Sequence, residues 1–101
     1  MSRDHPILTL SVAASLLKIH SRTLMLYEKE GLISPHRTPT NRRLFSQTDL
    51  SRIQFVKYLV ETLGVNLKGV KAIQDIIAKL EAKNPNITKD LFPDFSEKKL
   101  I

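Results

Sequence analysis

The sequence of 101 residues predicts a mainly α-helical fold, in which four helices surround a small β-hairpin. Two short helical segments separated by three residues indicate a helix-turn-helix, and a segment rich in Pro, Thr and Asn indicates the hairpin. Two further apolar stripes with helical spacing follow the hairpin. A chain of this length normally builds one domain around one core, so these elements are expected to pack together.

The first two helices are predicted at residues 12–17 and 21–30, where apolar residues recur at three and four positions. Lys18, Ile19 and His20 interrupt the pattern, and Gly31 follows the second segment at the position that favours a left-handed cap. This spacing is typical of a helix-turn-helix, in which the first helix braces the second against the major groove of DNA.

Residues 32–45 are predicted to form a small hairpin or an extended loop, because turn-forming residues separate two apolar positions. Its charged residues are His36, Arg37, Arg42 and Arg43, with no acidic residue among them. The segment is therefore expected to project a concentrated positive charge into solvent.

The third helix is predicted to begin after Ser46, whose hydroxyl can cap the amide of Asp49 while the Asp49 carboxylate reaches back. Gly64 closes this helix. The apolar stripe that we expect to face the core comprises Leu50, Ile53, Val56, Val60 and Leu63.

The fourth helix is predicted to begin at Asn66 and to end before residues 84–86. Its apolar residues step by three, four and three, as in a coiled coil, but only over about two heptads. Core packing and dimer packing therefore both stay open, and we take the stripe as the candidate dimerisation surface. Its members are Val70, Ile73, Ile77 and Leu80.

The composition favours a polyanionic partner, since the formal net charge is +6 and the pI is about 9.8. Residues 1–45 hold seven basic and three acidic side chains, which concentrates the excess in the predicted helix-turn-helix and hairpin. The absence of cysteine excludes disulfides, thiolate metal sites and thiol nucleophiles. We expect a cytoplasmic protein with no membrane segment, because no apolar run approaches the length of a span.

No catalytic grouping, phosphate-binding loop or metal cluster is apparent, so an enzyme, a cofactor and a metal are not expected. The three histidines, His5, His20 and His36, are scattered and are expected to be surface or capping residues.

Three blocks resemble the DNA-binding domain of the MerR family of bacterial transcriptional regulators, in the family's order and spacing. They are TLMLYEKEGLISPHRT at 23–38, RRLFSQTDL at 42–50 and LGVNLKGV at 63–70. Ile19-His20 and the third block are similar to the heat-shock repressor branch. The resemblance implies a winged helix-turn-helix whose second helix reads double-stranded DNA and whose wing arginines grip phosphate. It also implies a bacterial protein that is associated with the nucleoid.

The candidate DNA contacts lie in the turn, the second helix, the wing and the third helix. They are Lys18, His20, Ser21, Arg22, Thr23, Tyr27, Arg37, Arg42, Arg43 and Lys57. Tyr27 is as readily a core aromatic, and the wing arginines can instead pair with Glu28 or Glu30.

The sequence departs from the resemblance in the wing, the second helix and the turn. In the wing, Thr40-Asn41 replaces the common glycines, and Asn41 is expected to take the left-handed conformation almost as readily as glycine. The family usually has Arg at the position of Met25 and Tyr at that of Leu26, and its turn often has Gly at the position of Lys18.

The sequence thus predicts a DNA-binding domain at residues 1–83 and a C-terminal tail at 84–101 that is disordered, packs on the domain or docks a partner. Little chain follows the fourth helix, so a ligand-sensing domain is not expected. The leading hypothesis is a homodimeric repressor of stress genes on an inverted-repeat operator, with a chaperone co-repressor implied by the resemblance. The alternatives are a phage-type excisionase or architectural DNA-binding factor, and a protein-interaction adaptor whose basic face only aids solubility.

Overall fold

The computed structural model describes residues 2–101, and in this part of the chain it has five α-helices, one π-helical turn and three short strands. The mainly helical fold with a hairpin is confirmed, with a fifth helix and a third strand that the sequence did not predict. In chain order the elements are β1 (Leu8–Thr9), α1 (Leu10–Leu17), α2 (Ser21–Lys29), β2 (His36–Arg37), β3 (Arg43–Phe45), α3 (Gln47–Lys57), the π-helical turn (Tyr58–Thr62), α4 (Leu67–Glu81) and α5 (Ile87–Leu91).

The small sheet joins the N-terminus to the hairpin, with the antiparallel strand order β1-β3-β2. Leu8 lies opposite Phe45, and Leu44 lies opposite His36. Thr9 leaves β1 and accepts a hydrogen bond from the Val12 amide at 3.3 Å, so α1 begins two residues earlier than its apolar pattern predicted. The strand β1 therefore fixes where the helix-turn-helix starts relative to the hairpin.

The hydrophobic core lies where α1, α2, β3, α3, the π-helical turn and α4 meet. Its largest fully buried side chains are Phe45, Leu24, Ile53, Leu59, Val56 and Val70. The first helical face contributes small residues, Ala13 and Ala14, which let α1 approach its neighbours closely. This single core holds the helix-turn-helix and the hairpin in one rigid relationship.

The third helix begins as predicted, because the Ser46 hydroxyl accepts from the Asp49 amide at 3.0 Å and the Asp49 carboxylate accepts from the Ser46 amide at 2.9 Å. Its predicted stripe is correct for Leu50, Ile53 and Val56, which are buried, and for Val60, which packs half-buried against the core, but not for Leu63. Leu59 is fully buried, whereas Leu63 is 47 % exposed. The π-helical turn changes the rotation per residue, so the regular spacing assumed from the sequence does not hold there.

The C-terminal tail packs against α3. The Phe55 ring meets the rings of Phe92 and Phe95 edge to face, with centroids 5.4 and 5.3 Å apart. The Gln54 side chain also exchanges two 2.8 Å hydrogen bonds with the Lys98 backbone. Of the three possibilities that the sequence left open for the tail, the structure shows packing on the domain.

Within residues 2–101, none of the helices combines the length and the apolar character that crossing a membrane requires.

Candidate nucleic-acid interface

The turn between α1 and α2 is closed by a lysine in a left-handed conformation. Lys18 has φ 56°, and its amide donates to the Ser15 carbonyl at 3.2 Å while the Ile19 amide donates to Ala14 at 3.0 Å. The Lys57 ammonium donates to the Leu17 carbonyl at 2.9 Å, which satisfies a further carbonyl at the end of α1. The turn therefore keeps its geometry without glycine, with Lys57 bound to the helix end.

The second helix presents a buried face and an exposed face. Leu24 and Tyr27 are buried against the core. Arg22, in the first turn, lies on the exposed face together with Lys29, the last residue of the helix. The outward face thus carries a positive charge near each end of α2, as expected of a helix that lies in a DNA groove between two phosphate backbones.

The remaining candidates at the start of α2 differ in their accessibility. His20 is exposed and precedes the helix, while Ser21 and Thr23 are half-buried in its first turn. Tyr27 is 2 % exposed, so it takes the core position, one of the two alternatives that the sequence left open. Burial raises the pKa of its hydroxyl, and the nearby Glu61 carboxylate raises it further, so Tyr27 stays neutral at physiological pH.

The wing is a hairpin whose tip is built from local hydrogen bonds. The Thr38 amide donates to the Arg42 carbonyl at 2.9 Å, and the Asn41 amide donates to the Thr38 carbonyl at 2.8 Å. Asn41 takes the left-handed conformation at φ 64°, in the place where the sequence predicted that it would substitute for glycine. Arg42 is exposed at this tip, so its guanidinium points away from the core.

One carboxylate on α2 fastens the wing. Arg37 donates to both Glu28 oxygens at 3.0 Å, and the Arg43 Nε donates to Glu28 Oε1 at 2.7 Å. Arg37 also donates to the Asn41 carbonyl at 3.1 Å, which ties the tip of the hairpin to the same group. Of the two acids that the sequence offered, the structure uses Glu28. The wing is therefore held at a fixed position beside α2.

Partial burial alone would raise the pKa of Glu28, but the hydrogen bonds and charges of Arg43 and Arg37 outweigh it and lower the pKa below its ordinary value of 4.5. A carboxyl whose pKa is lower in the folded state adds stability above its unfolded pKa and loses it as pH falls through the folded value. The Glu28 pairs are therefore expected to be intact at neutral pH and to weaken in acid.

We expect Glu28→Gln to lower the free energy of unfolding by about 1 kcal/mol at pH 7, because charge-assisted hydrogen bonds are lost. The difference from the wild type should shrink towards zero as urea unfolding is repeated at pH values below 4.5. Glu30→Gln is the matched control, since Glu30 is exposed at the end of the same helix. A Glu28→Gln difference that stays constant with pH would contradict the ion pairs.

The structure separates the predicted contacts into two regions. Arg22 and the arginines of the wing belong to α2 and the hairpin fastened to it. Lys18 and Lys57 instead line a groove that the tail borders with Phe95 and Lys98. Because Lys57 is bound to the end of α1, a role in shaping the turn is the one that its contacts support.

The candidate dimerisation stripe on α4 is also divided, into residues that pack within the chain and residues that face outward. Val70 is fully buried and Ile77 is 7 % exposed, so both are used in packing within the chain. Ile73 is half-buried and Leu80 is 42 % exposed. Ile76, which the stripe omitted, is 53 % exposed. The outward apolar face of α4 is therefore rotated from the predicted one.

Sequence reasoning missed two features of this region. Lys29 completes the charged ends of α2, and its spacing of seven from Arg22 was a readable signal. Gln74 on α4 donates to the Leu32 carbonyl at 3.0 Å, which joins α4 to the segment between α2 and the wing. No sequence signal could have found this second contact, because it joins residues 42 positions apart.

Two helices joined by a tight turn, with a hairpin clasped beside the second helix, define a winged helix-turn-helix protein. The chain belongs to the MerR HTH family of regulatory proteins, whose family model matches residues 8–75. It is therefore a member of a regulatory family and not of an enzyme family, as the sequence predicted.

The chain is similar to curated MerR-type regulators. It is 36 % identical over 86 residues to the candidate heat shock protein HspR of Streptomyces coelicolor, an alignment that covers 82 % of this chain and 57 % of that protein. It is 34 % identical over 71 residues to the transcriptional regulator GlnR of Bacillus anthracis, covering 70 % of this chain and 54 % of GlnR. The resemblance to the heat-shock repressor branch is thus confirmed, and the chain spans little more than half the length of these relatives.

A solved structure shares the fold. HiNmlR, described as a MerR family regulator lacking the sensor domain and bound to promoter DNA, aligns with a TM-score of 0.61 at 25 % sequence identity. The alignment covers 83 % of this chain and 75 % of HiNmlR. The similarity therefore extends well beyond the helix-turn-helix and the wing.

Proposed function

We propose that this protein is a sequence-specific regulator of transcription that binds double-stranded DNA as a homodimer and represses stress genes from an inverted-repeat operator. The observation that carries the proposal is the exposed, positively charged face of α2 beside a wing held in place by Glu28. A helix that enters the major groove needs such a face, and a wing needs a fixed distance from that helix to reach the flanking phosphates.

The wing arginines have separate tasks in this proposal. Arg42 stands exposed at the tip and is the contact that reaches the phosphate backbone. Arg43 uses its Nε on Glu28, which leaves its two terminal nitrogens to grip a phosphate. Both terminal nitrogens of Arg37 donate hydrogen bonds within the protein, so Arg37 serves chiefly to fasten the hairpin.

The proposed dimer uses the outward face of α4. Ile76 and Leu80 are exposed on it, and Ile73 is half-buried beside them. Gln74 ties this helix to the base of the wing, so a partner bound to α4 has a fixed orientation relative to α2. Two such subunits related by twofold symmetry would place their reading helices on half-sites about one helical turn, or a multiple of it, apart.

We expect Ile76→Glu to dissociate the dimer, because the substitution would bury an unpaired carboxylate in the proposed interface. Sedimentation velocity at micromolar concentration should show a dimer for the wild type and a monomer for the variant. Ala78→Glu adds the same charge to the opposite side of α4, since two positions turn a helix by about 200°. The α4 interface is wrong if Ala78→Glu dissociates the protein and Ile76→Glu does not.

The experiment that tests the function is selection of bound duplexes from random DNA with the 101-residue chain. We expect enrichment of a sequence with twofold symmetry and weaker binding of the selected duplex by Arg22→Ala. Lys89→Ala removes the same charge from α5 and should bind normally. A correctly folded chain that enriches no sequence would overturn the proposal and support the interaction adaptor. Strong bending of the duplex without an effect on transcription would support the architectural factor.

The repressor role and the link to stress genes rest on the similarity to HspR. Transcription in vitro from a promoter that carries the selected sequence tests the sign of regulation, since a repressor lowers the yield of transcript. The chaperone co-repressor belongs to the same proposal. Such a partner would bind the exposed Leu91 or displace Phe92 and Phe95 from α3.

A further inference from the structure

The exposed face of α2 is apolar in its middle. Met25 is 38 % exposed and Leu26 is 42 % exposed, and both lie between Arg22 and Lys29. The four residues are spaced at zero, three, four and seven positions, so they share one side of the helix. An apolar pair therefore stands between two cations on the surface that the helix-turn-helix presents.

The chemistry of these two side chains restricts what they can recognise. Neither can donate a hydrogen bond to a base edge, and neither carries a charge for a phosphate. In the major groove the apolar group on a base edge is the thymine methyl, and apolar side chains contact it directly. An aliphatic side chain and a thioether are suited to cover such methyl groups.

We propose that Met25 and Leu26 determine specificity by contacting thymine methyl groups in each half-site, an inference that rests on the proposed function. Arg22 and Lys29 lie on either side of this contact and bind phosphates of the DNA backbone. From Arg22 to Lys29 the helix rises about 10 Å, which corresponds to about three base pairs. The thymines are therefore confined to about three consecutive base pairs at the centre of each half-site.

The size of the expected preference follows from the area that a methyl group buries. Covering one methyl contributes about a fourfold preference for thymine over a base without it. Two contacts in each half of a symmetric site multiply to about 250-fold, provided that the contacts are independent. These methyl contacts replace the directional hydrogen bonds that an arginine and a tyrosine at positions 25 and 26 would supply.

The test compares two duplexes of the selected sequence, one with thymine and one with uracil at the central positions of each half-site. Uracil pairs with adenine in the same way and lacks only the methyl group. We expect the wild type to bind the uracil duplex about fourfold more weakly for each methyl that is removed. Leu26→Ala and Met25→Ala should each lose this discrimination at one base position. Each variant should bind a duplex with uracil at that position alone as tightly as it binds the thymine duplex.

Leu63→Ala is the matched control, because Leu63 is 47 % exposed just after the π-helical turn and should keep the full discrimination. Uracil placed outside the central base pairs should leave the affinity unchanged. Equal binding of the thymine and uracil duplexes by the wild type overturns the inference but leaves the proposed function standing. So does a selected sequence without thymine at these positions. A chain that selects no duplex overturns both.

Discussion

Replacing Phe45 with alanine is expected to lower the free energy of unfolding by about 3–5 kcal/mol. Its ring is 1 % exposed, and its strand pairs with Leu8 on one side and precedes the Ser46 cap of α3 on the other. Total stabilities of such domains are about 5–15 kcal/mol, so the variant would lose a large part of its stability. Urea and thermal unfolding followed by circular dichroism should show the midpoint temperature falling by about 12 °C or more.

Phe92→Ala is the matched control for this experiment, since it removes the same ring from a half-buried position on the tail. Its contact with Phe55 is a single edge-to-face pair, for which we expect a loss of about 1–2 kcal/mol. If the two substitutions cost the same, then Phe45 is not the residue that joins the sheet to the helical core.

Replacing Arg42 with alanine is expected to weaken operator binding by about eightfold per subunit at 0.1 M salt, or about 60-fold for a symmetric dimer. Within residues 2–101 its guanidinium forms no ion pair, so the substitution removes a phosphate contact without breaking a bond inside the protein. The slope of log affinity against log salt should become shallower by about 0.9 per subunit. Titrations of the selected duplex at several salt concentrations measure both quantities.

Two variants isolate the contribution of the wing tip. Lys89→Ala changes the net charge equally but lies on α5, so its affinity and salt slope should match the wild type. Arg37→Ala should lower stability because it breaks the pairs with Glu28. An Arg42→Ala slope that equals the wild-type slope would mean that the tip does not reach the DNA backbone.

The parts of this fold that could be predicted from sequence are those with a local physical cause. A capping box needs only Ser46 and Asp49, and the structure contains both of its hydrogen bonds. Asn66 likewise caps α4 by accepting from the Gly69 amide at 2.7 Å. Gly31 and Gly64 take the left-handed conformations that end their helices. In each case the residues that decide the conformation are neighbours in the chain.

The features that were missed depend on partners far along the chain. The strand β1 has two residues and exists only because Leu8 and Thr9 pair with β3. The tail carries no periodic pattern, and its position is set by contacts of Phe92 and Phe95 with an aromatic residue on α3. Such pairings are invisible to spacing arguments, which compare only residues within one element.

The candidate site shows the same division. The place of Arg22 near the start of α2 can be read from the sequence, and the charge of the wing follows from its composition. The sequence could offer Glu28 and Glu30 as partners for the wing but could not choose between them. The choice depends on the rotation of α2 against the hairpin, which the whole core determines. Lys57 stays a predicted DNA contact, but the hydrogen bond from its ammonium to the Leu17 carbonyl at the end of α1 joins residues 40 positions apart and could not be predicted from spacing.

The shared carboxylate of Glu28 has a consequence for how this family can diverge. Because Arg37 and Arg43 both depend on it, a substitution at any of the three positions changes the effect of substitutions at the other two. Homologues that lack an acid at position 28 are therefore expected to have lost at least one of these arginines as well. The three positions should evolve as one unit, whereas Arg42 at the tip is able to change alone.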